Sequence, residues 1–373
     1  MCCGPVERQH VADIRARFVA SARAACSGDR ALRRFRGTKL FRFRDINRPT
    51  QQQITAGDQA QCVAPYVFPN CPVVDYGISR TVFPNFFHVN QEEATANSNY
   101  NSLQASLRVN GWHGLTSQAN FVWSHSIDNA SDLEDFIPNA AQPNNSYNTR
   151  AERGNSNFDI RRRFSWNLGY ELPHRGGNLA KLKDGWGVNS VVTLQDGQPF
   201  SFNYDFEGDY SGSGEGFDRP DIVGPVLYGS VPYNFINLTS FKVPCTFGNT
   251  AANSSAGYNN CLTGSRHFGS LGRDALRGPS FKEWNFSVFK NTPITEHVFL
   301  ELRAEFFNFV NHPNFANPIL PGFISDPATN GLDASGRGIG NLALTATGDV
   351  GIGNPFLGGG GPRGVQFVGK ITF

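Results

Sequence analysis

The chain has 373 residues, and its 33 Lys and Arg nearly balance its 31 Asp and Glu, so the overall charge gives no reason to expect nucleic acid or acidic lipid as a partner. Its 40 Gly, 22 Pro and 32 Phe beside a single Met favour strands and turns over helices. No apolar run approaches the roughly 20 residues of a membrane-spanning helix. The composition therefore predicts an all-β protein that is either soluble or a membrane β-barrel.

Residues 1–36 differ from the rest of the chain. They are rich in Arg and Ala, contain three of the seven cysteines and lack a two-residue periodicity, and their composition allows a helix over residues 11–26. They also lack the apolar segment of a secretory signal peptide. We therefore treat residues 1–36 as an atypical N-terminal segment that need not be native, and residues 37–373 as the barrel domain.

From residue 37 onward, apolar and polar residues alternate. The pattern is clear in residues 99–109 and, after a short turn, in residues 115–127. Similar segments follow in chain order at residues 162–172, 186–196, 284–291, 298–309 and at the C-terminus, which ends on Phe373. They approach the roughly 9–11 residues that a tilted strand needs to cross a bilayer, and they exceed the about 5–6 residues of an ordinary strand.

The connections between these strands alternate between short and long. Short turns lie near residues 110–114, 173–185 and 292–297, and long loops occupy residues 46–98, 128–161, 205–283 and 311–362. Outer-membrane barrels have short periplasmic turns and long extracellular loops. If Phe373 ends on the periplasmic side, about eight strands cross the membrane, and the alternating residues 86–93 belong to a hairpin within the first extracellular loop. The sequence predicts an all-β, transmembrane antiparallel β-barrel with long extracellular loops.

The two faces of these strands differ in chemistry. Charged side chains opposite an apolar face suit a water-filled or plugged lumen, and aromatic rings on the apolar face suit the girdles at the membrane boundaries. The predicted lipid-facing residues are Leu103, Leu107, Phe121, Trp123, Trp166, Leu302 and Phe367. The predicted lumen-facing residues are Gln104, Arg108, Arg163, Glu301, Arg303 and Glu305. The predicted membrane-interface residues are Trp123, Trp166, Tyr170, Trp284 and Phe373.

The sequence contains no strong catalytic or metal-binding motif. His297 and His312 lie near Glu301 and Glu305, but these glutamates alternate with apolar residues and fit a polar lumen lining better than catalysis. The acidic residues 205–210 lack the full pattern of a calcium loop, which favours a solvated loop. We therefore expect no enzyme activity, no cofactor and no metal.

Two pairs of cysteines lie in loop sequence. Cys62 is close to Cys71, and Cys245 is close to Cys261. Neither pair has the spacing or the histidine partners of a zinc site. The sequence leaves open whether the pairs form disulfides or remain free thiols.

Several segments resemble the barrel of Oar-like TonB-dependent receptors. They are, in chain order, RGTKL (36–40), SNYNSLQ (98–104), FVWSHSIDNA (121–130), RAERG (150–154), FD (158–159), GQPF (197–200), LRGP (276–279), WN (284–285) and RAEFFNFVNHPNF (303–315). The resemblance covers residues 36–373 and implies the C-terminal part of a larger outer-membrane barrel of about 22 strands with a plugged lumen.

The resemblance also implies a function and partners. Such receptors import a ligand that binds at the extracellular loops, with energy passed from TonB to the plug, and their C-terminal signal, here ending on Phe373, is read by the barrel-assembly machinery. The expected location is the Gram-negative outer membrane, surrounded by its lipid. No residue of the loops identifies the ligand.

The chain departs from that family at its front. The signal peptide, the N-terminal carboxypeptidase-regulatory-like domain, the TonB-contacting segment and the plug do not occur in this sequence, so we expect a fragment that results from a truncated or frameshifted gene or from a misplaced start codon. Two alternatives remain open. One is an autonomous eight-stranded outer-membrane barrel that serves as an adhesin or anchor, and the other is a soluble β-sandwich that binds carbohydrate.

Overall fold

The computed structural model describes most of the chain. The described residues are 26–60, 62, 64–71, 82–86, 89–131, 143–174, 176–177, 179–204, 209–247, 261–318, 326–344 and 362–373, together with the backbone of residues 12–19. The statements below concern these residues.

Nine long strands form one antiparallel sheet, in which the spatial order of the strands is their order along the chain. They are β1 (Ala12–Val19), β2 (Cys26–Asp45), β3 (Asn90–Trp112), β4 (Leu115–Asp128), β5 (Arg162–Glu171), β6 (Trp186–Gln195), β7 (Phe281–Pro293), β8 (Phe299–Phe307) and β9 (Gly364–Thr372).

This arrangement confirms the predicted fold class and strand order. Strands β2 to β9 correspond to the eight strands expected from the alternation, and every neighbouring pair is antiparallel. The short turn between β3 and β4 has His113 at φ 50° and Gly114 at φ 85°, as a two-residue hairpin turn of type I′ requires. Because the long strands form one sheet rather than two packed sheets, the β-sandwich alternative does not fit.

Two details of the prediction are wrong. Residues 90–93 do not belong to a separate hairpin, because they form the beginning of β3. This beginning pairs with the end of β2, and Asn90 stands opposite Asp45. Residues 12–19 form a strand rather than part of a helix, because they pair with the edge of β2. β2 also runs across the proposed domain boundary between residues 36 and 37, which stays a prediction.

Strands β2 and β3 are much longer than a membrane crossing requires. They have 20 and 23 residues. At about 3.3 Å per residue they extend roughly 66 and 76 Å, about twice the 30 Å of a bilayer core. Their paired ends around Asp45 and Asn90 therefore project beyond the bilayer on the side of the long loops.

The long connections fold together into a structured layer beside this end of the sheet. We call the described parts of residues 46–89, 129–161, 196–280 and 308–344 the loop layer. Its regular elements are the helix α1 (Gln51–Ala60), the 3-10 turns Leu238–Ser240 and Thr263–Ser265, and the short strands Gly154–Asn155, Pro199–Phe200, Asp221–Ile222, Ile236–Asn237, Phe241–Lys242, Leu276–Arg277 and Asn341–Leu342. A second helix, α2 (Ala180–Lys183), lies in the connection between β5 and β6.

The main hydrophobic core lies in the loop layer rather than in the sheet. It contains Phe200, Phe202, Phe235, Ile236, Leu238, Phe241, Leu271, Leu276, Leu342 and Leu344. A second cluster packs Tyr204 and Tyr210 against the disulfide Cys245–Cys261. Cys62 and Cys71 form the other disulfide, so both cysteine pairs are closed. None of the helices in the described residues is long and apolar enough to cross a membrane.

Candidate functional site

The strand register sorts the sheet into two faces. All seven predicted lipid-facing residues lie on one of them, the apolar face: Leu103 stands opposite Trp123, and Ala304 stands opposite Phe367. This face is open, with Trp123 58% exposed and Phe367 81% exposed. In water such a surface would drive association, whereas lipid would cover it.

The six predicted lumen-facing residues share the opposite, polar face. There the Arg303 guanidinium donates to Glu301 Oε1 at 2.6 Å and to Glu305 Oε1 at 3.4 Å. On another part of the face, Arg108 Nη2 donates to Gln118 Oε1 at 3.1 Å. Gln104 of β3 and Arg163 of β5 both stand opposite Val122 of β4, one on each side of it, so they lie on the same face. The polar face thus carries charged groups, of which Arg303 pairs with Glu301 and Glu305, and its exposure to a lumen stays a prediction.

The predicted interface residues lie on the apolar face at different heights. Trp166 and Trp284 both stand opposite Val192 and so share one row, while Trp123 is nearer the loop layer and Tyr170 is nearer the short turns. The indole N–H groups of Trp166 and Trp284 donate to the serines Ser117 and Ser190, each at 2.9 Å. Both rings, on the exposed apolar face, thereby keep their polar atom paired within the protein. Phe373 follows β9 and is 93% exposed.

The end of β4 meets the loop layer at a buried arginine, Arg273. Its guanidinium pairs with Asp128 and, at 3.2 Å, with Asp274. It also donates to the backbone oxygen of Glu152 at 2.8 Å. One side chain therefore connects the last residue of a long strand to two separate loops.

A second buried arginine, Arg219, joins the same loops. Its two terminal nitrogens donate to the carboxylate of Glu152 at 2.8 and 3.1 Å, and its Nε donates to the backbone oxygen of Leu271 at 2.9 Å. Both partners of this ion pair are almost completely buried. Planar bidentate pairing of this kind fixes geometry as well as charge.

Asp159 is the centre of a third junction. Its carboxylate accepts the backbone N–H of Ser126 at 2.7 Å, Arg161 Nε at 2.8 Å and Arg277 Nη2 at 2.5 Å. Arg277 also donates to the backbone oxygen of Gly197 at 3.3 Å. We call these three junctions, centred on Arg273, Arg219 and Asp159, the rim network.

The rim network brings together the segments that carry the sequence resemblance. Glu152 comes from RAERG, Asp159 from FD and Arg277 from LRGP, and the LRGP segment pairs with GQPF through Leu276 opposite Phe200. The alternating pattern gave no sign of Arg219, Arg273 or Asp274. Only the resemblance, which quoted Asp128, Glu152, Asp159 and Arg277 within its motifs, pointed to this part of the molecule.

Two buried acids in the loop layer, one of them a partner of Arg273 in the rim network, have raised pKa values. Burial raises the pKa of Glu215 from 4.5 to about 7, although Arg48 at 3.4 Å and hydrogen bonds from Ser146 act in the opposite direction. Burial likewise raises the pKa of Asp274 to about 6 against the opposing charge of Arg273.

Asp209 corrects one expectation. It is buried and accepts the Gly214 N–H at 2.8 Å, so at this position the predicted solvated loop is wrong, while residues 205–208 lie outside the described residues. Within the described chain, no group of three His, Cys, Asp or Glu residues is placed to hold a metal ion.

A single antiparallel sheet with one polar face, one exposed apolar face and folded loops at one end is the arrangement expected of strands from a membrane β-barrel. Residues 35–337 match the family described as outer membrane beta barrel domain, and the chain belongs to this family. This membership indicates the outer membrane as its location, where lipid would cover the apolar face.

Two solved structures are similar to the chain. The outer membrane transporter YddB from Escherichia coli is 9% identical with a TM-score of 0.40, over 96% of this chain and 31% of that one. FpvA from P. aeruginosa, solved with iron and a heterologous pyoverdine, is 10% identical with a TM-score of 0.32, over 97% of this chain and 30% of that one. The chain thus spans less than a third of either structure. A comparison with curated proteins found no match.

Proposed function

We propose that the chain is the C-terminal barrel portion of an Oar-like TonB-dependent receptor, which takes up a ligand across the outer membrane in the intact protein and has no enzymatic activity. The main observation that supports the proposal is that segments that carry the sequence resemblance lie together in the structure. RAERG and FD are close in sequence, but GQPF and LRGP lie about 40 and 120 residues further along the chain, yet residues of all four segments meet in one rim network. Motifs that have a common structural role support a family relationship better than the same motifs would if they were scattered over the surface.

The rim network suits a receptor because it holds the loops rigidly at the extracellular end. Ligand-binding residues on loops need a fixed support, and buried bidentate arginine pairs provide one. The polar face below, with Arg163, Glu301, Arg303 and Glu305, offers charged groups to a plug in the lumen. The ligand would meet the loop layer first.

The proposed partners follow from this arrangement. Lipid surrounds the apolar face, TonB acts through the plug of the intact receptor, and the barrel-assembly machinery reads the end of β9 with Phe373. The alternative of an autonomous eight-stranded barrel is less well supported, because in the described sheet β9 pairs only with β8 and β2 pairs only with β1 and β3.

The test is to follow the polypeptide in its own cells. An antibody against the loop layer would detect it in separated membranes, and chemical crosslinking would test for a TonB adduct, with a TonB-deletion strain as the control. In cells that make the intact receptor, we expect a polypeptide longer than this chain in the outer membrane and a TonB adduct of it that is absent from the control. An intact-length polypeptide in the outer membrane without an adduct would contradict the receptor proposal, and recovery of this chain alone in the outer membrane would favour an adhesin or anchor.

A further inference from the structure

The apolar face changes character at β2. The register places Leu32 opposite Leu103, Arg34 opposite Asn101 and Arg36 opposite Asn99, so toward the loop layer the face changes from apolar residues to arginines of β2 beside asparagines of β3. Arg34 and Arg36 are both exposed. An arginine facing lipid is costly at the middle of a bilayer and tolerated near its boundary. This part of β2 is therefore locally positive, although the charges of the whole chain nearly balance.

A groove lies on this part of the apolar face, between β2 and β4. Its volume is about 500 Å³, and its lining includes Leu32, Leu103, Trp123, Arg34, His125 and Arg161. The lining is sorted by height. Leu32, Leu103 and Trp123 form one row, and the row of Arg34, Asn101 and His125 lies one step nearer the loop layer.

The upper end of the groove is positively charged. Arg161 and Arg277 share the single carboxylate of Asp159, which leaves one positive charge in excess. Arg34 adds another, because it has no ion-pair or hydrogen-bond partner among the described residues. The side chain of Arg161 remains 39% exposed toward the groove region. The groove thus has an apolar floor and a positively charged upper end. Its floor includes Trp123, which is one of the predicted membrane-interface residues.

We propose that this groove binds a phosphate-bearing lipid of the outer leaflet, with the phosphate between Arg34 and Arg161 and an acyl chain along Leu32, Leu103 and Trp123. The arginines complement the charge of a phosphate, and the apolar row lies directly below them. An amphiphile with a phosphate at one end fits both features. An apolar molecule would leave Arg34 unpaired, and a small anion would leave the apolar floor uncovered. The bound lipid also accounts for arginines on a face that meets the membrane.

Trp123 provides a direct readout, because it lies in the groove. The chain has five tryptophans, so replacing Trp112, Trp166, Trp186 and Trp284 by Phe leaves Trp123 as the only indole. A matched variant that keeps only Trp284 reports on the same face at β7, away from the groove. Each full-length variant, in detergent micelles, is titrated with brominated phosphatidic acid or brominated phosphatidylcholine, whose bromines quench a neighbouring indole.

We expect phosphatidic acid to quench Trp123 at about 25-fold lower concentration than phosphatidylcholine, about fivefold for each of the two basic side chains beside the phosphate. Arg34→Gln should reduce this preference about fivefold, and Arg108→Gln on the polar face should leave it unchanged. The variant with Trp284 alone should show no preference. Equal quenching of Trp123 by both lipids, or a preference that is unchanged in Arg34→Gln, would overturn the proposal. Relief of quenching by inorganic phosphate at the same concentration as the lipid would overturn it in favour of a site for free phosphate.

A second measurement covers the case in which the multiple tryptophan replacements prevent folding. Phosphatidic acid retained by the otherwise unaltered chain after gel filtration in detergent can be measured as lipid phosphorus. Retention should fall about fivefold in Arg34→Gln and remain unchanged in Arg108→Gln. Equal retention in all three proteins would refute the lipid site while leaving the receptor proposal unaffected.

Discussion

Replacing Glu152 by Gln should loosen the loop layer, because it removes the charge that neutralises buried Arg219. Arg219 and Glu152 have side chains only 4% and 2% exposed and are joined by two hydrogen bonds. Losing one partner of a buried ion pair costs about 3–5 kcal/mol. Gln keeps the shape and one acceptor oxygen, so we expect about 3 kcal/mol, or roughly a hundredfold increase in the population of the opened layer.

Limited proteolysis of the full chain in detergent can measure this opening. When cleavage is slow relative to closing, its rate follows the population of the open form. Cleavage in residues 209–247 should accelerate roughly a hundredfold in Glu152→Gln. The matched control is Asp196→Asn, which breaks the exposed pair with Arg162 and should change the rate by less than about fivefold. Similar rates for the two variants would refute the structural role of the rim network.

Three further predictions concern the pH response, a disulfide and the two faces. The raised pKa of Glu215 means that the folded layer holds a proton that the unfolded chain releases, so the free energy of unfolding should fall by up to about 3 kcal/mol as the pH rises from about 4.5 to about 7. Glu215→Gln should flatten this slope in urea unfolding of the layer followed by near-UV circular dichroism, and an unchanged slope would contradict the assignment. Reduction of Cys245–Cys261, which spans 16 residues, should lower the stability of the layer by about 3 kcal/mol in the same unfolding assay, and an unchanged stability would contradict a structural role of this disulfide. Val192→Arg on the apolar face should reduce insertion into bilayers by about 2–4 kcal/mol, whereas Thr193→Arg on the polar face should have little effect, and equal effects in a vesicle-folding titration would argue against the assignment of faces.

The long strands could be predicted from sequence because their signal is local. Alternation in segments such as residues 99–109 and 298–309 sets both the strand and its two faces, and the strand register then places the seven predicted lipid-facing residues together. The start of β3 was missed because residues 90–98 are polar or small on both faces, as expected for a strand end that extends beyond the membrane. Residues 12–19 were misjudged because a strand at a sheet edge is stabilised by its partner rather than by its own pattern.

The rim network could not be predicted from such patterns. Arg219 and Glu152 are 67 residues apart, and Arg273 and Asp128 are 145 residues apart. Each pair forms only because the loops fold against the sheet end, and a single sequence carries no local sign of that packing. Buried Asp209 illustrates the same limit, since its loop composition favoured solvent exposure while its tertiary surroundings exclude it.

The central claim is that one face of the sheet meets lipid and the other meets water. It can be tested by placing a single spin label in turn at residues 300–306 of β8 in the full chain, after conversion of the cysteines that are not disulfide-bonded to Ser, and reconstituting each variant in bilayers. Labels at residues 300, 302, 304 and 306 should collide with oxygen dissolved in the lipid, and labels at residues 301, 303 and 305 should collide with a water-soluble nickel complex. Uniform access of the nickel complex to all seven positions would contradict a membrane-crossing sheet.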